Sequence, residues 1–316
     1  MTIKTFGNTD KSADDSQHHG IWLDLLSPSE QEIAEAGRRT SLRIPSRADL
    51  EEIETSSRTY MENGAVYISL PLVTRQKTES LVVSPVGFIL SPDAIVTLRF
   101  DHFETFDQVQ SNLTAIESPS RVLVDLIAAI VDKLADIAEH TEATLDSISD
   151  QIFPDGADGE RKRQTTASMR RILRHLGRIG KLTSGLRTSL HSLMRMIPYI
   201  SAKAAKLLSP GCTEQLDVAK ADVNSLVEFE QHMTDKMQFL LDATLGFVSI
   251  AQNEIFRVLT VASVIGIPPT LLAGIWGMNF KIMPELGWQY GYAISLGLIV
   301  LSALIPALWF RLRGWL

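Results

Sequence analysis

Two stretches near the C-terminal end of this 316-residue chain constrain its fold more than any other feature of the sequence. Residues 258–276 and 290–310 contain no charged side chain. With a rise of about 1.5 Å per residue, a helix of either length would measure about 30 Å, close to the thickness of the hydrocarbon core of a bilayer. The sequence therefore predicts two membrane-spanning helices joined by a short extramembrane loop.

Positive charges predict the orientation of these spans. Arg257 precedes the first span, and Arg311 and Arg313 follow the second, whereas the loop between them has Lys281 balanced by Glu285. Loops rich in Lys and Arg stay on the cytoplasmic side of a membrane. The first residues of the chain contain no apolar run of signal-peptide length. We therefore expect both termini to lie in the cytoplasm.

Composition and motifs argue against several classes of function. The net charge of −7 disfavours nucleic acid as a partner, because binding to phosphates requires a basic surface. With Cys212 as the single cysteine, the chain has neither an internal disulfide nor a Cys-rich metal site. The sequence has no Walker A loop, nucleophile elbow or His-Cys metal cluster, and we expect no enzymatic activity and no cofactor.

The region before the spans divides into an α/β domain and long helices. β-branched apolar runs separated by turn residues predict strands over residues 66–70, 81–90 and 94–100. Ser27 and Glu30 are spaced as a capping box that would begin a helix. Three long helices follow: the first ends near Pro154, the second runs from near Gly159 to a stop at Pro198, and the third continues into the first span.

The predicted fold class is an α+β membrane protein with a cytoplasmic α/β domain, long helices and two C-terminal transmembrane helices. We divide the chain into an α/β domain over residues 1–115, stalk helices over 116–256, a first transmembrane helix over 257–276, a periplasmic loop over 277–289, a second transmembrane helix over 290–310 and a basic tail over 311–316.

Polar residues along one face of the first span suggest a pathway for ions. Two helices have no interior, so a pathway would require several copies of the chain around an axis. Taken alone, a Ser or Thr in a span more often bonds to its own helix. The residues that follow the three-and-four spacing of one helix face are Asn253, Phe256, Thr260, Ser263, Ile267 and Thr270.

The segment after the first span carries a family signature. Gly277-Met278-Asn279 follows the span and Met283-Pro284-Glu285-Leu286 precedes the second one. This arrangement resembles the CorA family of magnesium transporters. Weaker similarity to the enterobacterial-type members of that family extends through residues 21–25, 50–54, 252–254, 268–271, 290–292 and 314–316.

The resemblance implies a funnel-shaped homopentamer in a bacterial inner membrane that conducts Mg²⁺ inward, with Co²⁺ and Ni²⁺ as further substrates, and that intracellular Mg²⁺ gates. The first spans would line the pore, and Gly277, Met278 and Asn279 would form its periplasmic mouth. A ring of Asn279 amides could hydrogen-bond a hydrated Mg²⁺ without removing its water. Glu285 would gather cations there; the alternative is a solvated carboxylate beside Lys281.

The resemblance also assigns roles inside the pore. Asn253 corresponds to a polar ring on the cytoplasmic side, and Phe256, Leu259 and Ile267 correspond to hydrophobic constrictions that gate by excluding water. Family members sense Mg²⁺ through carboxylates between subunits. No pair transfers clearly to this sequence, and Asp217 and Asp222 are our candidates.

Two other functions remain open from the sequence. A zinc transporter of the same superfamily, similar to ZntB, keeps a related triplet but usually departs from Met-Pro-Glu-Leu, which favours magnesium here. A membrane-anchored helical scaffold would use its spans only as anchors. The polar face of the first span argues against that function.

Overall fold

The computed structural model describes residues 4–6, 21–52, 58–75, 81–112, 118–154, 166–279 and 283–315. The chain divides into two compact units, and each is described by itself. The first comprises residues 1–160 with 171–241, and the second comprises residues 161–170 with 242–316.

A six-stranded mixed sheet forms the core of the first unit. The strands are β1 Lys4–Phe6, β2 Ile21–Leu26, β3 Thr59–Glu62, β4 Ala65–Arg75, β5 Leu81–Leu90 and β6 Ala94–Arg99. Their order in the sheet is β1-β2-β6-β5-β4-β3, in which β2 and β6 are parallel and all other neighbours are antiparallel. The three predicted strands are present as β4, β5 and β6.

A tight turn joins β3 to β4. Asn63 and Gly64 have φ angles of 49° and 81°, which is the left-handed conformation that two-residue hairpins favour. Beyond this turn, Tyr60 and Tyr67 stack across the two strands with ring centroids 4.8 Å apart. Burial raises the pKa of both phenols. The turn thus sets the register that pairs these two rings.

Strands β2 and β6 share a buried ion pair. The Arg99 guanidinium donates to Asp24 at 2.7 Å from Nη2 and 3.2 Å from Nε. Thr97 Oγ1 also donates to Asp24 at 2.7 Å, and Trp22 Nε1 donates to Thr97 Oγ1 at 3.0 Å. Both charged side chains are about 95% buried, at 4% and 5% exposure. Buried charges of this kind require partners, and here each has several.

The first helix, α1 Glu30–Thr40, begins two residues later than the sequence predicted. The backbone N–H and hydroxyl of Ser29 both donate to the Glu32 carboxylate, at 2.7 and 2.9 Å. The predicted capping box of Ser27 and Glu30 was therefore wrong. Ser27 instead has a φ of 44° and donates its hydroxyl to the Phe100 carbonyl. Two short helices follow, α2 Arg47–Glu51 and α3 Glu104–Asn112.

Three long helices make up most of the remaining chain: α4 Pro119–Ile152, α5 Thr166–Lys203 and α6 Cys212–Trp276. The predicted stop at Pro198 was wrong, because α5 continues to Lys203. Proline removes one backbone hydrogen bond, but Ile197 and Ile200 on either side are fully buried. Their burial outweighs the local preference of proline. The third helix is continuous into the first apolar stretch, as predicted.

Ion pairs join these helices within the first unit. Arg187 on α5 donates to Glu230 on α6 at 2.9 Å. Lys236 on α6 contacts Glu142 and Asp146 on α4, at 2.5 and 2.6 Å. Burial alone would lower the pKa of Lys236, but the bonds to the two carboxylates outweigh it and raise that pKa. Because a raised lysine pKa stabilises the folded state until pH exceeds it, this contact persists at neutral pH.

The second unit holds the two apolar helices. One is the part of α6 over residues 242–276, which contains Pro268 and Pro269. The other is α7 Gly291–Leu312, which contains Pro306. Both are long and apolar enough to cross a membrane, and almost none of either apolar stretch is buried within the chain. Exposed apolar helices of this length need either lipid or further copies of the chain around them.

Candidate ion pathway

Helix α6 ends directly before the Gly-Met-Asn triplet. The Gly277 N–H donates to the Ala273 carbonyl at 2.9 Å, and the Met278 N–H donates to the Ile275 carbonyl at 3.2 Å. The last helical turn is therefore tighter than an α-helical turn. The helix ends before Asn279, whose side chain is exposed. The triplet lies at the end of the apolar helix, with its amide free to meet solvent or another subunit.

Gly277 leaves little room for a larger residue. A Cβ added there would lie 3.1 Å from the Ala273 carbonyl oxygen, closer than ordinary van der Waals contact. Its φ is not in the left-handed region, so a side chain here would require the Ala273 carbonyl to shift by only a few tenths of an ångström.

The loop after the triplet is short. Residues 280–282, including Lys281, lie outside the described residues. The described residues continue from Met283, and a 3-10 helix over Pro284–Gly287 contains the predicted site residue Glu285. The Gly291 N–H then donates to the Trp288 carbonyl at 3.0 Å as α7 begins. That Glu285 attracts cations to the pore mouth stays a prediction, and so does the alternative that it is a solvated carboxylate beside Lys281.

The residues of the predicted pore face are mostly exposed on α6. Phe256, Leu259 and Ile267 are 64%, 60% and 62% exposed, although each is apolar. Asn253, Thr260 and Thr270 are exposed as well, and Ser263 is half-buried. The single chain therefore leaves most of this face uncovered. Such a face is suited to line a space enclosed by other copies, and it does not form a pathway alone.

Two hydroxyls on this face bond to their own helix. Thr260 Oγ1 donates to the Phe256 carbonyl and Thr270 Oγ1 donates to the Gly266 carbonyl, both at 2.8 Å. This is the arrangement that threonine in a membrane helix commonly adopts. Since the hydroxyl hydrogens are used, only the oxygen lone pairs remain to face the pathway, and these would attract cations or water.

The candidate sensing residues lie on α6 in the first unit. Asp222 lines a groove of about 510 Å³ between α4 and α6, and Asp217 is exposed outside it. The groove also holds Asp125, paired with Arg121 at 3.1 Å. In the part of the chain that the structure describes, no three His, Cys, Asp or Glu residues are placed to hold a metal ion. One chain alone does not assemble the predicted regulatory site.

Sequence reasoning did not connect Asp125, on the α4 side of this groove, with the sensing residues. Asp125 and Asp132 line it together with Glu214 from the start of α6. The two aspartates are seven residues apart, which places them on one face of a helix. That spacing was visible in the sequence, but nothing in it indicated that α6 would pack beside the same face.

A family model described as CorA-like Mg²⁺ transporter protein matches residues 17–312 of the chain. This match covers strands β2 to β6, the long helices, the triplet and both apolar helices. The chain belongs to the CorA family. The resemblance inferred from the triplet and the loop is therefore confirmed over nearly the whole length.

Similarities to individual relatives and solved structures also support membership of the CorA family. The magnesium transport protein CorA of Wolinella succinogenes is 31% identical, over 94% of this chain and 91% of its own length. The CorA magnesium transporter from Methanocaldococcus jannaschii has a similar fold, with a TM-score of 0.74, 18% identity and coverage of 99% and 98% of the two chains. The ZntB cytoplasmic domain from Vibrio parahaemolyticus is a more distant match, with a TM-score of 0.55 and 11% identity over 78% of this chain and 98% of its own. The predicted fold class of a soluble α/β domain, long helices and two C-terminal apolar helices is confirmed.

Proposed function

We propose that this CorA family member is the subunit of an oligomeric Mg²⁺ channel in a bacterial inner membrane. The observation that supports this most is the position of Gly277-Met278-Asn279 at the end of an apolar helix whose polar and apolar pore residues face outward. A ring of five copies, with α6 innermost and α7 outside, would turn this face inward. Co²⁺ and Ni²⁺ are further proposed substrates.

Asn279 would select the ion at the outer mouth. Mg²⁺ prefers six oxygen ligands and loses its water reluctantly. Neutral amide oxygens arranged around an axis accept hydrogen bonds from that water, so the ion is recognised while still hydrated. An amide attracts the ion less strongly than a carboxylate does, so the bound ion can also leave.

Transport needs no chemical energy source in this proposal. With both termini in the cytoplasm, Mg²⁺ enters along the membrane potential, which contributes about 2.3 kcal/mol per charge for each 100 mV. The apolar side chains of Phe256, Leu259 and Ile267 would close the pathway by excluding water from the space between subunits.

Flux measurements on reconstituted protein test the proposal. The full chain in liposomes, with a potential imposed, should admit Mg²⁺ without accompanying proton movement. Parallel measurements with Zn²⁺, Co²⁺, Ni²⁺ and protons distinguish the alternatives. Zinc flux coupled to protons, with little Mg²⁺ flux, would assign the chain to zinc transport, and no ion flux at all would favour the scaffold.

Gating can be tested on the α6 face. Replacing Leu259 or Ile267 by Ser should hydrate the constriction and raise Mg²⁺ flux several-fold when internal Mg²⁺ is high. Ile265→Ser is the matched control, because residue 265 lies on the opposite side of the helix from residue 267. If neither variant differs from the parent, the constrictions lie elsewhere.

Sensing can be tested on the cytoplasmic helices. We propose that Mg²⁺ bound between subunits offsets repulsion among acidic residues that include Asp217 and Asp222, so that losing the ion loosens the cytoplasmic ring. Protease protection of the full chain should then rise with Mg²⁺, and Asp217→Asn with Asp222→Asn should shift the midpoint to higher Mg²⁺.

The exposed acids Glu139 and Asp150 on α4 supply a control double variant, Glu139→Gln with Asp150→Asn. Protection that does not depend on Mg²⁺ in the parent would reject ion sensing. Protection that the Asp217 and Asp222 changes leave unaltered would reject only this choice of residues.

A further inference from the structure

The C-terminal end of α7 is closed by a defined turn. The Trp315 N–H donates to the Phe310 carbonyl at 3.0 Å, and the Gly314 N–H donates to the Arg311 carbonyl at 3.2 Å. This pair of bonds is the Schellman motif, and Gly314 supplies the left-handed residue that it needs, with a φ of 69°. The turn reverses the chain and places Trp315 against the helix that it has just left.

Aromatic rings and one cation pack together around this turn. Trp315 stacks on Phe310 with centroids 5.5 Å apart, and Trp309 meets Phe310 edge-on at 5.1 Å. Phe310 is only 4% exposed as a result. The guanidinium carbon of Arg313 lies 5.0 Å from the centroid of the Trp309 ring. Residues 309, 310, 313 and 315 form what we term the C-terminal cluster.

Positive charge lies both in the cluster, on Arg313, and beside it, on Arg311, with no acidic side chain near them in sequence. Arg311 and Arg313 are exposed, and no Asp or Glu follows Glu285 in the chain. Within the described residues, neither arginine forms a salt bridge with a carboxylate side chain. The cluster directly follows the charge-free stretch 290–310, so in a bilayer it lies at the depth of the headgroups.

We propose that the C-terminal cluster is a binding site for the headgroup of an anionic phospholipid. The Arg313 guanidinium would bind the lipid phosphate, for which its planar donors are well suited, while its contact with Trp309 holds it in place. Trp309 and Trp315 would lie along the glycerol and upper acyl region. Arg311 adds attraction to the anionic surface. This inference rests on the membrane insertion that the proposed function assumes.

A purely structural role makes a different prediction. Cations at the C-terminal end of a helix also offset the helix dipole and stabilise the helix in any lipid. In that case the two arginines and the turn would affect stability equally in neutral and anionic membranes. A lipid site requires instead that the effects appear only when anionic lipid is present.

The test measures retained lipid. Full-length protein is reconstituted in phosphatidylcholine alone or mixed equally with phosphatidylglycerol, extracted in detergent, and the phosphatidylglycerol bound per subunit is measured by native mass spectrometry. Arg313→Gln should reduce retention about fivefold, the effect of one arginine near an anionic surface. Gly314→Val keeps both charges but disfavours the turn, because a β-branched residue rarely adopts positive φ, and it should also reduce retention.

Arg38→Gln is the control, since it removes one exposed positive charge from α1 and should leave retention unchanged. Adding soluble glycerol phosphate distinguishes a lipid site from a simple phosphate site, and the expected result is no competition. Retention by Arg313→Gln or Gly314→Val equal to that of the parent overturns the proposal, as does an equal loss in Arg38→Gln. Mg²⁺ flux in phosphatidylcholine, measured on the same samples, reports separately on the proposed channel function.

Discussion

Asn279→Ala should reduce Mg²⁺ flux through the reconstituted protein to the level of empty liposomes. The side chain is exposed at the end of α6, so its removal deletes the amide ring without creating a cavity in one chain. A hydrated Mg²⁺ would then lose the amide hydrogen bonds that compensate for leaving bulk water. Flux under an imposed potential measures the effect.

Gln289→Ala is the matched control, because it removes an exposed amide from the same loop outside the triplet. Chemical cross-linking establishes that both variants keep the oligomeric state of the parent. Parental flux from an intact Asn279→Ala oligomer would reject the assignment of the mouth. Equal loss of flux in both variants would show that the loop as a whole, and not the triplet, controls conduction.

The second large effect is expected at the buried ion pair of the sheet. Arg99→Met should lower the free energy of unfolding by about 3–5 kcal/mol, because it leaves the Asp24 carboxylate buried without its partner. It also removes the contact between the guanidinium and the Phe106 ring, 4.9 Å away. Thermal unfolding of the full chain in detergent should therefore move to a clearly lower temperature.

Two further variants make this expectation specific. Arg47→Met breaks an exposed pair with Glu51 and should change stability by about 0.5 kcal/mol or less. Asp24→Leu combined with Arg99→Met removes both buried charges and should recover part of the loss. A result in which Arg99→Met is no more destabilising than Arg47→Met would mean that water reaches Asp24 in the folded protein.

The features that the sequence predicts well are those that depend on local runs of residues. The two apolar stretches, the strands β4, β5 and β6, and the continuity of α6 into the first span follow from patterns within single segments. The turn at Asn63 and Gly64 follows from the conformational preferences of those two residues.

The features that the sequence analysis missed depend on contacts between distant residues. Strand β3 is only four residues long, too short for a clear alternating pattern, and its pairing with β4 was not predicted although Thr59 and Tyr60 favour strands. The start of α1 lies two residues later than predicted because Ser27 bonds to Phe100, 73 residues away. Pro198 lies inside α5 because its neighbours are buried against the rest of the first unit.

In the candidate pathway, too, the features that depend on a local run of residues were predicted, and those that depend on packing were not. The position of the triplet at the end of a helix could be predicted, since the apolar run ends there. Whether Thr260 and Thr270 present hydroxyl hydrogens to the pathway could not, because two arrangements were open until the structure showed both bonded to α6. The groove beside Asp222 required knowing which face of α4 packs beside α6.

The adjacent prolines inside α6 affect how the proposed pore can move. Pro268 and Pro269 have no N–H to donate, so the carbonyls of Val264 and Ile265 lack their usual helical partners. Lipid offers no donor to replace them, and water in the pathway would. This short segment is therefore where α6 bends most easily, and it lies beside Ile267. Bending there would change the width of the proposed apolar constriction.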